Sequence, residues 1–417
     1  MKIIFLIILI NLFQYSILKS QNIDSENFIK NLMLTRPEYF SEIIDNSEKY
    51  RVQIIYTQID RDSIGFPHLT EYSYRLNDLE YYYTASMIKL PVIAMTLEKL
   101  NQIEEIDKYT KVTFEKTTCQ NAFYTDTTSE NDNITFAHLI KKALILSNND
   151  AFNRMYDFLG QEYCNKRLWE LGYSSARVIK RFAACSATEN KITPVINFYN
   201  NLDELIYTQP SIKCDTNILC QHKLAEIGKG VYDEETKQIV YKPKDFNTMN
   251  YISLQDLHKI VETIYFPEIF ADNEKFNLTP EDLNLIRKYM GMYPRESKNP
   301  YYVPYSKYYD SYVKYFLLGN STEKVPENIR IFDKVGMSFG FMTDVAYIVD
   351  YEANIEFFLS AVIYTNENEI INDGTYEYRQ TALPFFEQLG FLILDYEKNR
   401  LKTHTSDLIK IDFTNGN

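Results

Sequence analysis

The sequence predicts an α/β (α+β) fold in which strands from both ends of the chain form one antiparallel sheet flanked by helices, and an all-α lobe is inserted between them. Alternating apolar and polar residues at 50–60 and 69–77 predict a first strand pair. Three more stretches near the other end, at 329–337, 341–352 and 355–365, are interpreted as successive strands joined by short turns. Strands at both ends around a helical middle are typical of one sheet that accepts an inserted lobe.

The helices are predicted from apolar residues that recur at helical spacing. The first begins near Ser86 and ends at about Leu100. Two more lie within NITFAHLIKKALILSNNDAFNRMYDFLG and are separated by the residues SNN at 147–149. Further helical stretches follow at 253–266, 279–293 and 379–398.

Composition narrows the classes of partner and cofactor. The 417 residues, of which 45% are hydrophobic and 24% charged, match the composition of a globular protein. A formal net charge of −13 argues against nucleic acid as a partner, because phosphate binding needs a basic surface. The five histidines are scattered, and no His-Glu-x-x-His or Cys-x-x-Cys motif occurs, so we expect neither a metal ion nor another cofactor.

The N-terminal segment predicts export. A short basic start precedes an apolar run at 3–18, and polar sequence resumes at Lys19. The run is short for a membrane span, so we interpret residues 1–20 as a cleaved secretory signal, with an uncleaved anchor as the alternative. We therefore expect a secreted or periplasmic protein without a membrane span after cleavage.

All five cysteines follow this segment, where an oxidising compartment permits disulfides. Cys214 with Cys220 is the easiest pair by sequence distance, and the odd count leaves at least one cysteine unpaired. The connectivity cannot be read from the sequence.

The stretch TASMIKLPV (84–92) holds a serine and a lysine three residues apart. On a helix that begins near Ala85, these residues share a face, so Lys89 lies beside Ser86. The free N–H groups and the dipole of a helix N-terminus favour an alkoxide there. A lysine desolvated among apolar neighbours can lose its proton and act as a base. The motif alone is unspecific, because Ser-x-x-Lys occurs four times: Ser16/Lys19, Ser86/Lys89, Ser311/Lys314 and Ser321/Lys324.

The wider context is more specific. TASMIKLPV resembles the nucleophile motif of the serine β-lactamases and penicillin-binding proteins. Their second motif, Ser-x-Asn, is matched by SNN at 147–149 between two predicted helices. Their third motif, Lys-Thr/Ser-Gly, is matched by KVG at 334–336 on a predicted strand. With three motifs in the right order behind a predicted signal, the chain most closely resembles the class A β-lactamases.

The resemblance implies a role for each matching residue. Ser86 would be acylated, Lys89 would take its proton, and Ser147 would relay a proton to the leaving nitrogen. The backbone N–H groups of Ser86 and Met337 would form the oxyanion hole. The residues implied to bind the substrate are Asn149, Lys334, Gly336, Met337 and Ser338. Each polar role also has a structural alternative, since an asparagine can merely cap a helix and a lysine can be a solvated strand residue.

The chain departs from the class A pattern at two positions. Class A enzymes remove the acyl group with a Glu in an Arg-x-Glu-x-x-x-Asn loop, whereas RFAACSATENKITP has Ala183 at that place. Glu189, later in the same loop, is the candidate replacement base. Val335 lacks the hydroxyl of the third motif, although Ser338 lies nearby. Without a positioned base, release of the acyl group should slow, since general-base catalysis contributes about 10²- to 10⁴-fold.

We therefore expect an exported serine hydrolase that forms an acyl-enzyme on Ser86 with β-lactam-like or related acyl and amide substrates, and that deacylates slowly. A DD-peptidase or esterase-like hydrolase is the first alternative. A non-catalytic protein that binds penicillin or cell-wall fragments is the second. The expected partner is a small-molecule or cell-wall-derived acyl substrate, and no oligomeric state is predicted.

A different hydrolase is also conceivable on the motif GMSFG (336–340), which matches Gly-x-Ser-x-Gly. It would make Ser338 the nucleophile of an α/β-hydrolase, with Asp350 or Asp373 and His404 downstream. That motif requires a strand, a sharp turn and then a helix. The residues after Gly340 alternate like a strand, which disfavours this interpretation.

The resulting domain assignment places one domain at 21–402 and a polar tail at 403–417. Within the domain, 45–100 and 328–398 form the α/β part and 101–200 the α lobe. Residues 201–327 form an insertion that is longer than in typical members of the resembled family.

Overall fold

The computed structural model describes residues 27–218, 222, 224–404 and 408. The predicted signal at 1–20, most of the polar tail and Cys220 lie outside the described residues. Within the described part of the chain, no helix combines the length and the apolar character that crossing a membrane requires.

Strands and helices are distributed over the whole described part of the chain. The strands are β1 (Gln53–Arg61), β2 (Pro67–Tyr74), β3 (Lys111–Phe114), β4 (Ile196–Tyr199), β5 (Leu205–Gln209), β6 (Glu226–Ile227), β7 (Gly230–Asp233), β8 (Gln238–Val240), β9 (Lys244–Asp245), β10 (Ile329–Ser338), β11 (Phe341–Asp350), β12 (Ile355–Tyr364) and β13 (Ile370–Ile371). The α-helices of the described part of the chain include α1 (Pro37–Asp45), α2 (Lys89–Leu100), α3 (Phe136–Ile145), α4 (Asn149–Leu159), α5 (Gln161–Glu170), α6 (Leu254–Tyr265), α7 (Pro280–Gly291) and α8 (Leu383–Asn399).

Five strands form the main sheet in the order β10-β11-β12-β1-β2, with antiparallel pairing throughout. Every residue of β11 and β12 is buried, so these strands are covered on both faces. α6 packs on β11 and β12, α8 packs on β12, and α1 packs on α8. The sheet therefore combines strands from both ends of the chain, as the sequence predicts, and the fold class is confirmed.

The helical lobe also contains a small sheet that the sequence did not predict. β3, β4 and β5 pair antiparallel beside the helices α3, α4 and α5. These strands have four or five residues each, which is too short for their alternation to be distinguished from loop sequence. The proposed division into lobe, insertion and tail stays a prediction.

β10 lies at the edge of the main sheet, and its free side faces a 3₁₀ turn at Ala85–Ile88 that leads into α2. Gly336 of β10 makes this approach possible. A Cβ at Gly336 would lie 2.6 Å from the carbonyl oxygen of Thr84 and 3.0 Å from Cγ of Met87. Only glycine allows two backbones to come so close.

The Gly-x-Ser-x-Gly interpretation is wrong for a topological reason. Ser338 is the last residue of β10 and pairs with Phe341, the first residue of β11. Phe339 and Gly340 form the turn with φ values of 54° and 87°, the combination of a tight hairpin. The chain continues as a strand and not as a helix, so Ser338 does not sit on a nucleophile elbow.

Candidate active site

Ser86 and Lys89 lie on consecutive turns at the start of α2. Ala85 precedes them with a φ of +47°, a left-handed conformation that costs free energy for an alanine and persists where the surroundings enforce it. Lys89 is fully buried, and its Nζ lies 3.0 Å from Ser86 Oγ. The predicted nucleophile and base are therefore in direct contact.

Two further acceptors determine how the Lys89 amine is oriented. Nζ donates to Asn149 Oδ1 at 2.7 Å and to the carbonyl oxygen of Ser147. Both oxygens can only accept hydrogen bonds. A neutral amine has two N–H groups and one lone pair, so these two contacts leave the lone pair for the neighbouring hydroxyls of Ser86, at 3.0 Å, and Ser147, at 3.1 Å.

Ser147 joins the two lysines. Its Oγ lies 3.1 Å from Lys89 Nζ and accepts a hydrogen bond from Lys334 Nζ at 2.9 Å. The residue has a φ of +55°, a second left-handed conformation beside the same lysine. Asn148 caps α4 by accepting a hydrogen bond from the N–H of Ala151 at 2.8 Å. The structural alternative thus holds for Asn148, whereas Asn149 points to Lys89.

Burial changes the protonation of both lysines. Desolvation, followed by the positive charge of Lys334, holds the pKa of Lys89 well below its ordinary value. Desolvation lowers the pKa of Lys334 to about 7, although the carboxylates of Asp333 and Asp344 oppose this. Both shifts favour the neutral amine, which is the form that a general base requires.

The end of β10 forms the wall of the site next to Ser86. Lys334 is buried, and Gly336 abuts the residues just before Ser86. Met337 has a side chain that is 51% exposed, and Ser338 is half-buried. The predicted substrate-binding residues of the strand thus follow one another along the edge that faces the Ala85–Ile88 turn.

The loop from Arg181 to Asn190 forms another wall and is fixed at both ends. Arg181 and Asp157 form a fully buried ion pair at 2.6 Å. The backbone N–H of Arg181 donates to Asn190 Oδ1 at 2.9 Å, which closes the loop on itself. A disulfide between Cys119 and Cys185 ties its middle to the preceding lobe segment.

Phe182 of this loop covers Lys89. Its ring centroid lies 5.0 Å from Lys89 Nζ and 4.8 Å from the ring of Phe152 on α4. The loop thus presents an apolar ring beside the catalytic candidates. Sequence reasoning missed this residue, because nothing marks a phenylalanine after Arg181 as facing a lysine so far away in the chain.

Glu189, the candidate replacement base, forms hydrogen bonds within its own loop. Its Oε2 accepts a hydrogen bond from the Ser186 N–H at 2.8 Å. That bond, with the Ser186 and Thr118 hydroxyls, lowers the pKa of Glu189. Among the described residues, no hydrogen bond connects it to Ser86 or Lys89. Its role as a base stays a prediction.

The cysteines pair differently from the simplest expectation. Cys119 and Cys185 form a disulfide across a sequence separation of 66. Cys164 and Cys214 are free and buried. Cys220, which sequence distance favours as the partner of Cys214, lies outside the described residues.

Comparison with known proteins gives the family. The model of the beta-lactamase enzyme family matches residues 37–396. No curated protein matches the sequence. Similar solved structures include a beta lactamase from Xanthomonas campestris pv. campestris str. ATCC 33913, with 12% identity, a TM-score of 0.48 and coverage of 89% of this chain and 98% of that chain.

Two other structures have similar scores. A beta-lactamase from Burkholderia phymatum has 10% identity and a TM-score of 0.43, with coverage of 90% of this chain and 98% of that chain. An ancestral class A beta-lactamase (GNCA) has 13% identity and a TM-score of 0.43, with coverage of 85% and 98%. The assignment rests on the family match, which spans most of the sequence. The chain belongs to the beta-lactamase enzyme family and is a serine hydrolase.

Proposed function

We propose that the protein forms an acyl-enzyme on Ser86 with β-lactam-like or related acyl and amide substrates and that it releases the acyl group slowly. The observation that carries this proposal is the contact set of Lys89. Its two N–H groups have fixed acceptors, and its lone pair lies beside the hydroxyls of Ser86 and Ser147, which are the groups between which a proton would move. This arrangement favours removal of the Ser86 proton over simple hydrogen bonding.

In the proposed step, Lys89 Nζ takes the Ser86 proton and Oγ forms a bond to the acyl carbon. The bond from that carbon to the leaving nitrogen breaks. The proton passes from Lys89 through the Ser147 hydroxyl to the nitrogen, while Lys334 donates to Ser147 Oγ. N–H groups of Ser86 and Met337 stabilise the oxyanion.

Slow release is supported by what surrounds Lys89. A water that attacks the acyl carbon needs a base, and the loop places the ring of Phe182 beside the lysine. Ala183 stands where class A enzymes have their glutamate, and the Glu189 carboxylate is engaged within its own turn. Lack of a positioned base costs about 10²- to 10⁴-fold in hydrolysis.

Export is part of the proposal. The apolar run at 3–18 supports a secretory signal, and the Cys119–Cys185 disulfide supports an oxidising compartment. Expression with the full leader in a bacterial host, followed by N-terminal sequencing of the periplasmic protein, tests this part. A start near residue 21 is expected, and retention of Met1 in the cytoplasm would contradict it.

The main test is an intact-mass time course with benzylpenicillin, run on the wild type and on Ser86→Ala. We expect an adduct on the wild type that persists for hours and no adduct on Ser86→Ala. Ala183→Glu restores the missing carboxylate at its motif position, and we expect it to shorten the adduct lifetime. Wild-type protein that consumes the drug without accumulating an adduct would refute slow release.

A wild type that neither carries an adduct nor consumes the drug would refute β-lactams as substrates. A fluorophosphonate serine-hydrolase probe then separates the alternatives. Labelling of Ser86 would indicate a peptidase or esterase-like enzyme. An unlabelled protein would indicate a non-catalytic binding protein.

A further inference from the structure

A cavity separate from the candidate active site lies between α3 and α7. Its volume of about 670 Å³ suits a small organic ligand. α3 contributes His138 and Lys141, α7 contributes Tyr289, and the segments 129–135 and 298–299 form further parts of the wall. We call this feature the α3–α7 cavity. The described residues along its wall include none of the candidate catalytic residues.

Lys141 presents a buried cation to this cavity. Only 7% of the residue is exposed, and in the described part of the chain its amine has neither a hydrogen bond nor an ion pair. The contact recorded for its Nζ is the ring of Tyr289, whose centroid lies at 5.6 Å. An ammonium group has three N–H donors, and a ring face replaces none of their acceptors. Water can supply hydrogen bonds here, but only an anion also offsets the charge.

The charges around Lys141 also favour an anion. Desolvation, followed by the positive charge of Lys288, lowers the pKa of Lys141 to about 8, so the amine is mostly protonated at neutral pH. Lys298 places an exposed lysine on the same wall. Glu130 is the carboxylate that lines the cavity, and its charge raises the pKa of Lys141. Glu130 is exposed, however, and the described ion pairs do not join it to Lys141.

The other basic residues of α3 have a carboxylate partner. Lys142 Nζ lies 2.6 Å from Asp126 Oδ2, and His138 Nε2 lies 3.4 Å from the same oxygen. Within the described part of the chain, Lys141 is thus the basic residue of α3 that lacks one. Since the fold pairs its neighbours on the same helix, the exception at the cavity wall indicates a partner supplied from outside the chain.

The wall also offers polar groups that a simple anion does not use. The Oγ atom of Ser129 is buried and has no hydrogen-bond partner among the described residues. The amides of Asn133 and Asn299 line the same cavity, and each can both donate and accept hydrogen bonds. Tyr109 and Tyr289 add aromatic rings to the wall. A ligand ring with hydroxyl groups on its edge and C–H groups on its faces matches this combination.

We propose that the α3–α7 cavity binds a small hydroxylated carboxylate, the chemical class of the sugar acids, with its carboxylate on Lys141. The ligand's hydroxyl groups would bond to Ser129 and to the two asparagine amides, and its ring would pack on Tyr289. Binding involves no covalent step, so this inference is independent of the proposed function. Lys141 binds the ligand and takes no part in acyl transfer.

The test compares two ligands that differ in one group. Methyl β-D-glucuronide carries a carboxylate where methyl β-D-glucoside carries a hydroxymethyl group. Isothermal titration calorimetry measures the binding of each compound to the wild type and to Lys141→Met, whose side chain keeps an apolar stem of similar length. Lys166→Met is the matched control, because it removes an exposed lysine from α5. Circular dichroism checks that each variant is folded.

We expect the wild type to bind the glucuronide at least about tenfold more tightly than the glucoside, because hydrogen bonds to charged groups discriminate strongly. Lys141→Met should bind the two compounds within about threefold of each other, and Lys166→Met should behave as the wild type. Equal affinities on the wild type, or no measurable binding of either compound, would overturn the site. A preference that survives Lys141→Met, or that is lost in Lys166→Met, would overturn it as well.

A second variant keeps the inference testable if Lys141→Met does not fold. Glu130→Gln removes the exposed carboxylate of the wall and leaves the buried lysine in place. It should tighten binding of the glucuronide by about two- to fivefold and leave binding of the glucoside unchanged, as expected for a charge interaction at an exposed position. Unchanged or weaker glucuronide binding in Glu130→Gln would contradict an anion beside Lys141.

Discussion

At the scale of single residues, the charge of Lys334 influences the titration of Lys89. The pKa of Lys89 is lowered by burial and by the charge of Lys334, and Ser147 connects their amines. A nearby positive charge disfavours a second one, so a change at Lys334 alters the titration of Lys89.

The first prediction concerns this coupling. Acylation requires a neutral Lys89, so its rate constant falls as the pH decreases through the pKa of Lys89. Lys334→Met removes the charge that lowers this pKa, and the acid limb should move to higher pH. Rapid-quench intact mass from pH 4 to 9 measures the limb. Lys89→Met should abolish the limb and lower the rate by about 10²- to 10⁴-fold. An unmoved limb in Lys334→Met would show that the lysines do not interact.

The second prediction concerns the close approach at Gly336. A Cβ there meets the Thr84 carbonyl oxygen at 2.6 Å, so Gly336→Ala must displace β10 from the Ala85–Ile88 turn. Acylation should fall at least about tenfold, and the free energy of unfolding by about 1 to 3 kcal/mol. Gly390→Ala is the control, because its Cβ would meet the backbone nitrogen of Leu317 at the same 2.6 Å on α8. It should lose stability yet keep its acylation rate per folded molecule. Equal acylation by both variants would contradict the prediction.

At the scale of elements, the loop from Arg181 to Asn190 is held by a buried ion pair, an asparagine and a disulfide. Such fixation is expected where a loop must keep an apolar ring beside a buried amine. The third prediction is that Cys119→Ser/Cys185→Ser destabilises the protein. Closing a chain segment with a separation of 66 contributes about 4 kcal/mol on the entropic model.

Urea unfolding of this variant and of the wild type with reductant measures the effect, and the two should agree. Limited proteolysis should then cut first within 181–190. Cys164→Ser, at a free buried cysteine, shows what loss of a thiol alone does. Unchanged unfolding in the double variant would show that the ion pair suffices.

Elements with a regular period could be predicted from the sequence, and irregular ones could not. β10, β11 and β12 start and end within two residues of the predicted stretches, because long runs rich in apolar, β-branched and aromatic residues that are bounded by short turns are a strong signal for strands. The motifs also predicted that Ser86, Lys89, Ser147 and Lys334 would meet. Phe182 and the Cys119–Cys185 bond escaped prediction, since their positions depend on how aperiodic segments pack. Sequence distance was likewise a poor guide to the cysteine pairing.

At the scale of the whole molecule, a buried acidic pair lies on β10 and β11. Lys314 Nζ lies 2.6 Å from Asp333 Oδ1, and Asp344 Oδ2 accepts hydrogen bonds from the Tyr315 and Phe316 N–H groups. Desolvation and the charge of Asp333 hold the pKa of Asp344 well above its ordinary value of 3.8. Asp344 therefore stabilises the fold while protonated, and this contribution is lost as the pH rises through its folded pKa.

The fourth prediction follows from this decrease in stability with rising pH. Asp344→Asn keeps an acceptor for both N–H groups and cannot ionise. Its free energy of unfolding should match the wild type near pH 4 and exceed it at pH 8 by roughly 1 to 3 kcal/mol. Urea titrations at both pH values test this, and Asp395→Asn on the exposed side of α8 is the control. An Asn variant that is less stable than the wild type at pH 8 would contradict the prediction.

The strand order of the main sheet has a consequence for the folding of the nascent enzyme. β1 pairs with β12, and the turn that carries Ser86 contacts β10. The N-terminal and C-terminal strands of the sheet must therefore pair before the site can form. A nascent chain that has emerged only to residue 320 already contains Ser86, Lys89 and Ser147. It does not yet contain β10, the strand that the Ser86 turn contacts. Contacts across such sequence separations form late and slowly. We therefore expect the nascent chain to be inactive until the last quarter of the sequence has paired with the first.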